Sequence, residues 1–285
     1  MTTSIEVVGA GITPIEAVPV FHYYPGAIAL RLIVASRIGY SVECEGHSIC
    51  NLIDASRSSW VRVPLERISW RVDSWNIDLV IGEGLEPGMG MDPDSLRDAI
   101  KKPIGIRALG FRHAPYSSYD LVLFDIIQGI KPWHSAILSN LDRALRESSW
   151  IEVAVHLTSA SDAGLAFKVA DIVGRRPETP LHIIIAEPGG GGAARALADN
   201  LAEKLDYVYV HAGPYSRLDT LCPTCRTPVV TRWSERIESV SPSFPHCPSC
   251  GKAIPFHGPR ITRARVIPSG FRRRGVSLWF NAVEL

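Results

Sequence analysis

The sequence predicts an α/β protein: a partial (β/α) barrel of the TIM-like type that leads into a small zinc ribbon near the C-terminus. Three observations predict it. Short apolar, β-branched segments alternate with amphipathic ones over most of the chain, and repeated strand–helix–strand units imply a parallel sheet. Beyond Val210 this alternation stops, and residues 219–259 turn rich in Cys, Pro and Ser. Within that stretch stand two Cys-x-x-Cys pairs, the spacing of a metal knuckle.

The strand candidates, in order, are Ala27–Val34, Asp78–Ile81, Ile104–Leu109, Asp120–Phe124, Ile151–His156, Leu181–Ala186 and Tyr207–Val210. All are apolar on both faces, as strands buried between layers must be. Helix candidates are Pro64–Trp75, Ser135–Arg146, Asp162–Val173 and Ala193–Leu205. In the second of these Ile137, Leu138, Leu141 and Leu145 recur at helical spacing. With this many units a partial barrel fits better than a complete eightfold one. The expected division is a barrel over 1–218, a ribbon over 219–259 and a basic, strand-rich tail over 260–285.

Composition excludes several classes. Hydrophobic residues make up 46% and charged residues 21% of the chain, which rules out a mostly disordered protein. Thirty Lys and Arg against 29 Asp and Glu leave no global field for nucleic acid or an acidic membrane. The longest apolar runs are of strand length and too short to cross a bilayer. No basic segment followed by a long apolar run stands at the N-terminus, so the expectation is a cytoplasmic protein.

Cys222, Cys225, Cys247 and Cys250 are expected to hold one zinc ion. Each pair sets two thiolates on the metal, Pro stiffens each knuckle, and Gly251 permits the turn after the last ligand. With all four positions filled by protein, such a zinc is structural. The ribbon has too few apolar residues to fold without it.

A row of polar residues falls at the C-terminal ends of the candidate strands, where barrels of this kind place their chemistry. Glu86, Asp125, His156 and Glu187 are the candidate catalytic residues of that mouth, beside Glu83, Arg112, His113, Thr158 and His211. Cys44, His47 and Cys50 offer three evenly spaced soft ligands for a metal, or two buried thiols beside a histidine. Gly189–Gly192, between a strand and a helix, reads as a flexible loop. The tail carries Arg260, Arg263, Arg265, Arg272, Arg273 and Arg274 without an acidic residue between them. It is either a phosphate-contacting patch for RNA or a charged, solvated edge.

Several segments together resemble one family. GITPIEAVPVFHYYPG (11–26), GLEP (84–87), YDLVLFDI (119–126), SNLDRALRESSWIEVAVHL (139–157), TPLHIII (179–185), LDYVYVHAGPYSRLDTLCPTC (205–225) and CPSCGKAIP (247–255) are similar, in the same order, to radical SAM proteins of the AmmeMemoRadiSam type, relatives of pyruvate formate-lyase activating enzyme. The resemblance implies a partial (β/α) barrel with a [4Fe–4S] cluster and S-adenosylmethionine at its C-terminal mouth. It also implies a Cys-x3-Cys-x2-Cys loop that holds the cluster. Counted forward from Pro25-Gly26, those three positions are Arg37, Ser41 and Cys44, and a guanidinium is no iron ligand. The family's Lys after the strand-four Asp is Ile126 here. The expectation is therefore a degenerate homologue without its cluster, acting as a zinc-containing, non-radical binding or regulatory protein with a protein partner. The alternatives are a SAM-dependent enzyme with Cys44, His47 and Cys50 as unusual cluster ligands, and an RNA-associated module built on the ribbon and the Arg-rich tail.

Overall fold

The computed structural model describes residues 3–39, 41–133, 135–161, 163–187, 191–213, 216–233, 236–262, 278–281 and 285. Its centre is a 10-stranded, mostly parallel sheet. Seven strands run parallel and in chain order: β2 (Ile28–Val34), β4 (Leu79–Glu83), β5 (Ile104–Ala108), β6 (Leu121–Ile127), β7 (Ile151–Ser159), β8 (Leu181–Glu187) and β9 (Val208–His211). These are the seven expected strands, displaced by up to three residues at their ends. Ahead of them β1 (Ser4–Pro14) pairs antiparallel with β2. It also pairs with β3 (Val61–Pro64) and with β13 (Leu278–Asn281) from the C-terminal tail.

Helices connect most of the parallel strands. They are α1 (Cys50–Ala55) and α2 (Leu65–Ser74) before β4, α3 (Pro93–Ile100) before β5, α4 (Ala136–Glu147) before β7, α5 (Gly164–Val173) before β8 and α6 (Gly191–Leu201) before β9. α3 follows from local chemistry: the Asp92 carboxylate accepts from the N–H groups of Asp94 and Ser95, and Pro93 occupies the first turn. Lys101, at φ 54°, ends it in the left-handed region. In α4 the expected stripe is the buried one, with Ile137, Leu141, Ala144 and Leu145 inward.

The period of two along each strand gives the sheet two unlike faces. The outer face, Leu30, Leu32, Val80, Ile106, Val122, Phe124, Val153, Val155 and Ile183 among others, packs under the helices in the main core. Each such side chain, fully buried, stabilises the fold by roughly 1.5–3 kcal/mol. The inner face has an apolar floor of Ala29, Leu79, Ile81, Leu121, Leu123 and Ala154. The segment between β1 and β2 covers that floor with Ile15, Val18, Val20, Tyr23 and Ala27. Above the floor the inner face becomes charged.

The ribbon is a second, 3-stranded sheet of β10 (Thr220–Leu221), β11 (Pro228–Trp233) and β12 (Arg236–Val240). It shares a core with the large sheet, in which Phe21, Tyr207 and Tyr209 meet Leu218, Val229, Val230 and Ile254. Arg232 fixes this junction. Its guanidinium lies 4.1 Å from the Phe21 ring centroid and donates to the Phe21 and Leu218 carbonyls and to Thr220 Oγ1.

Candidate small-molecule site

Charge enters the inner face one strand at a time. Arg31 on β2 donates to Glu83 on β4 at 2.6 Å. Glu83 is also 3.6 Å from Arg107 on β5. Arg107 grips Asp125 on β6 with two bonds, Nε to Oδ2 at 2.9 Å and Nη2 to Oδ1 at 2.7 Å. Asp125 Oδ1 lies 2.7 Å from His156 Nε2 on β7. All five side chains are buried. The register pairs Arg31 with Ile81, Arg107 with Leu123 and Asp125 with Ala154, so three of the four steps reach two residues past the register partner, which the period of two keeps on the same face. Burial alone would raise the Asp125 carboxyl, yet the Arg107 guanidinium and the His156 bond lower it to about 2.

Above this chain lies a cavity of about 340 Å³, the size of a small-ligand pocket. Arg31, Arg107, His156 and His211 line it from the sheet, with Ser48, Ile49, Asn51 and Leu52 on one side and Ala17 and Pro19 on another. Among the described residues no acidic side chain lines it. Glu83 and Asp125 sit behind the guanidinium groups, fully buried. The ionised carboxylate of Asp125 can only accept, so His156 donates to it from Nε2 and, in its neutral form, carries its lone pair at Nδ1. That Nδ1 is buried and has no hydrogen-bond partner among the described residues. An imidazole oriented by a carboxylate is a general-base arrangement.

A second hydrogen-bonded chain begins at His211, half-buried at the end of β9. Its Nε2 lies 3.1 Å from His182 Nδ1, and His182 Nε2 lies 2.9 Å from Glu152 Oε2. Glu152 also accepts the backbone N–H groups of Phe21, His22 and Tyr23, so it anchors the segment that covers the floor. His22 in turn contacts Tyr209 Oη at 2.6 Å, and burial lowers its imidazole to about 4.

Of the expected catalytic residues, the structure joins Asp125 and His156 and sets two others elsewhere. Glu86 is not at the mouth. It adopts φ 52° and turns inward, where Oε1 accepts from the Phe111 N–H at 2.7 Å. Burial raises its carboxyl to about 7 against those backbone donors. It organises the loop after β5. Glu187 ends β8 exposed to solvent, and His113 pairs at the surface with Glu147. The cluster-ligand reading of Cys44, His47 and Cys50 is corrected: Cys44 and Cys50 are joined in a disulfide, so neither sulfur is a thiolate. His47 remains near the site, its ring 6.1 Å from that of His156, and burial and His156 hold it below the ordinary imidazole value.

Sequence reasoning missed Arg31, Arg107, Glu152 and His182. The signal was present, since a lone charge inside IALRLIV or IGIRA must find a partner once the strand is buried. Of the tail arginines, Arg260 is exposed, and Arg263, Arg265, Arg272, Arg273 and Arg274 lie outside the described residues, as do Gly189 and Gly190, whereas Gly191 and Gly192 open α6 and not a loop.

The ribbon gathers Cys222, Cys225, Cys247 and Cys250 into a group able to hold a metal ion, their sulfurs within 4.8 Å of one another. Two knuckles of the same design present them. Cys222 N–H donates to Thr227 and Arg226 N–H to Cys222, while Cys247 N–H donates to Lys252 and Gly251 N–H to Cys247. The residue after each second cysteine is left-handed, Arg226 at φ 61° and Gly251 at φ 73°. Gly251 meets this demand without strain.

Among the described residues no helix is long and apolar enough to cross a membrane. No protein-family model matches the chain, and no curated protein matches it. Among solved structures, the crystal structure of QueE from Escherichia coli aligns with a TM-score of 0.46 at 11% identity, covering 74% of this chain and 95% of that chain.

Proposed function

We propose that the protein is a radical SAM-like scaffold that no longer holds a cluster and binds a small anionic molecule at the C-terminal ends of its parallel strands. The observation that carries this reading is the cavity lined by Arg31, Arg107 and His156 with its carboxylates withdrawn behind it. Guanidinium groups turned toward a cavity with no acidic side chain among its described lining residues favour a carboxylate or phosphate. Asp125 and His156 then supply an oriented base to the bound molecule.

The donor set of the loop after β2 does not fit a [4Fe–4S] cluster. Arg37 pairs with Glu6 at the surface, Ser41 is exposed and Cys44 is bonded to Cys50. S-adenosylmethionine chemistry that depends on such a cluster has no support from these residues. The four ribbon cysteines do fit zinc, because a tetrahedron with Zn–S bonds of about 2.3 Å has sulfur–sulfur edges near 3.8 Å. The sulfurs of Cys222 and Cys250 lie 3.5 Å apart and those of Cys225 and Cys247 3.4 Å apart. Zinc in the ribbon is structural.

Metal analysis of anaerobically purified protein tests the first half, with about one zinc and no iron expected per chain. About four iron atoms per chain would sink it. Calorimetric titration with inorganic phosphate and with malonate tests the second half. Arg31→Gln should weaken the binding of at least one of them by about 10-fold or more, the scale of a charge-assisted hydrogen bond. Unchanged affinity for both in that variant would remove the anion-site reading.

A further inference from the structure

His156 and His211 face the same cavity from two different strands. The register aligns His156 on β7 with Ile184 on β8, and Ile184 with His211 on β9. Two strand spacings separate the histidines, about 10 Å between their backbones, with Ile184 between them on the cavity wall. A small molecule held by Arg31 and Arg107 therefore lies within reach of two imidazoles rather than one.

The hydrogen bonds behind each imidazole fix which nitrogen it offers. Ionised Glu152 can only accept, so His182 donates to it from Nε2 and, when neutral, carries a lone pair at Nδ1. That lone pair accepts the Nε2–H of His211, which leaves His211 Nδ1 unprotonated. Burial is the first cause that lowers the His182 and His211 imidazoles, which keeps both neutral. The charged and titratable groups that act on the pair are Glu152 and His156 on β7, Asp125 on β6 and Arg232 on β11. Tyr209 on β9 stacks against His182, ring centroids 5.0 Å apart.

We infer that His211, His182 and Glu152 form a second acid–base relay ending in the cavity beside the Asp125–His156 pair, and that the site takes a small anion bearing a hydroxyl group. This rests on the anion-site reading given above. The relay balances as a proton transfer. A substrate hydroxyl gives its proton to His211 Nδ1, the Nε2 proton of His211 passes to His182 Nδ1, and the Nε2 proton of His182 passes to Glu152. One proton leaves the cavity and one arrives on the buried carboxylate. His211 is the group that meets the ligand, and His182 is a positioning residue.

Histidine-selective nitrogen NMR of the full chain reads the tautomers directly. The expected result at neutral pH is a neutral Nε2–H tautomer for His182 and His211 alike. A charged His211, or one protonated at Nδ1, overturns the relay. Glu152→Gln is the obvious variant, but Glu152 also holds the backbone of residues 21–23. His182→Gln is therefore the second variant, and it should change the tautomer balance or titration midpoint of His211. A His211 spectrum indifferent to His182→Gln also overturns the relay.

Glycolate and acetate are the binding probes. Glycolate is expected to bind at least several-fold tighter, with the margin lost in His211→Phe. If both bind equally but depend on Arg31, the anion site stands and the hydroxyl inference fails. If neither probe nor phosphate binds, the anion-site reading itself fails.

Discussion

Glu86 and Asp125 are both acidic and both buried, yet their surroundings drive them apart. Asp125 faces a guanidinium and an imidazole and is held at about 2. Glu86 faces mainly backbone N–H groups and is pushed up to about 7. Desolvation penalises the charged form of each; the guanidinium and imidazole outweigh that penalty at Asp125, and the backbone donors do not outweigh it at Glu86. One carboxylate is therefore set up to order a histidine beside a cavity. The other is set up to hold a loop and takes up a proton near neutral pH.

The strongest way to break this contrast is to remove the charge that creates it. Arg107→Ala leaves Glu83 and Asp125 buried without their shared cation, and a loss of about 3–5 kcal/mol is expected in urea unfolding. A loss below about 1 kcal/mol, the range of a surface ion pair, would mean that another group relieves them.

Glu86 yields the next largest effect. Its folded-state value is raised from 4.5 to about 7. Its contribution is therefore fully present below pH 4.5 and is lost as pH rises through about 7, a change of about 3 kcal/mol. Glu86→Gln should flatten the melting temperature across that interval. A variant that keeps the parent's slope would place the titration elsewhere.

Asp125 has the opposite sign. Its value is lowered from 3.8 to about 2, so its contribution is present above pH 3.8 and disappears as pH falls through about 2. The change is about 2 kcal/mol, and Asp125→Asn should remove that part of the acid limb. His156→Gln sharpens the comparison with the smallest effect. It deletes one of the two partners of Asp125, and carboxylate NMR should show Asp125 moving upward by about one unit.

Most of the sheet was legible in the sequence. Ile151–His156 and Leu181–Ala186 are apolar at every position but Glu152, His156 and His182, and a strand between two layers is the economical reading. β1 was not legible, because its glycines at 9 and 11 obscure the strand pattern and its identity depends on pairing with β2 and a strand from the far C-terminus. α3 was missed for its shortness, although Asp92-Pro93 spells out its start. In the site, the ends of β6 and β7 could be seen, so Asp125 and His156 could be named. Their joint presence with Arg31 and Arg107 depends on register across strands, which no single-strand pattern contains. Glu86 was assigned to the mouth from its position after a strand, whereas its left-handed backbone turns it into the protein.

The ribbon's placement has a consequence for how the chain avoids other chains. β9 is the last parallel strand, and its outer backbone groups would be a template for a stranger's strand. Val210 instead exchanges both of its hydrogen bonds with Arg217, on the segment leading into the ribbon, and Tyr207 and Tyr209 lie under ribbon side chains. The four thiols thus guard a sheet edge as well as their own fold. A chain starved of metal should betray itself first by self-association, before the large sheet has lost any of its internal order.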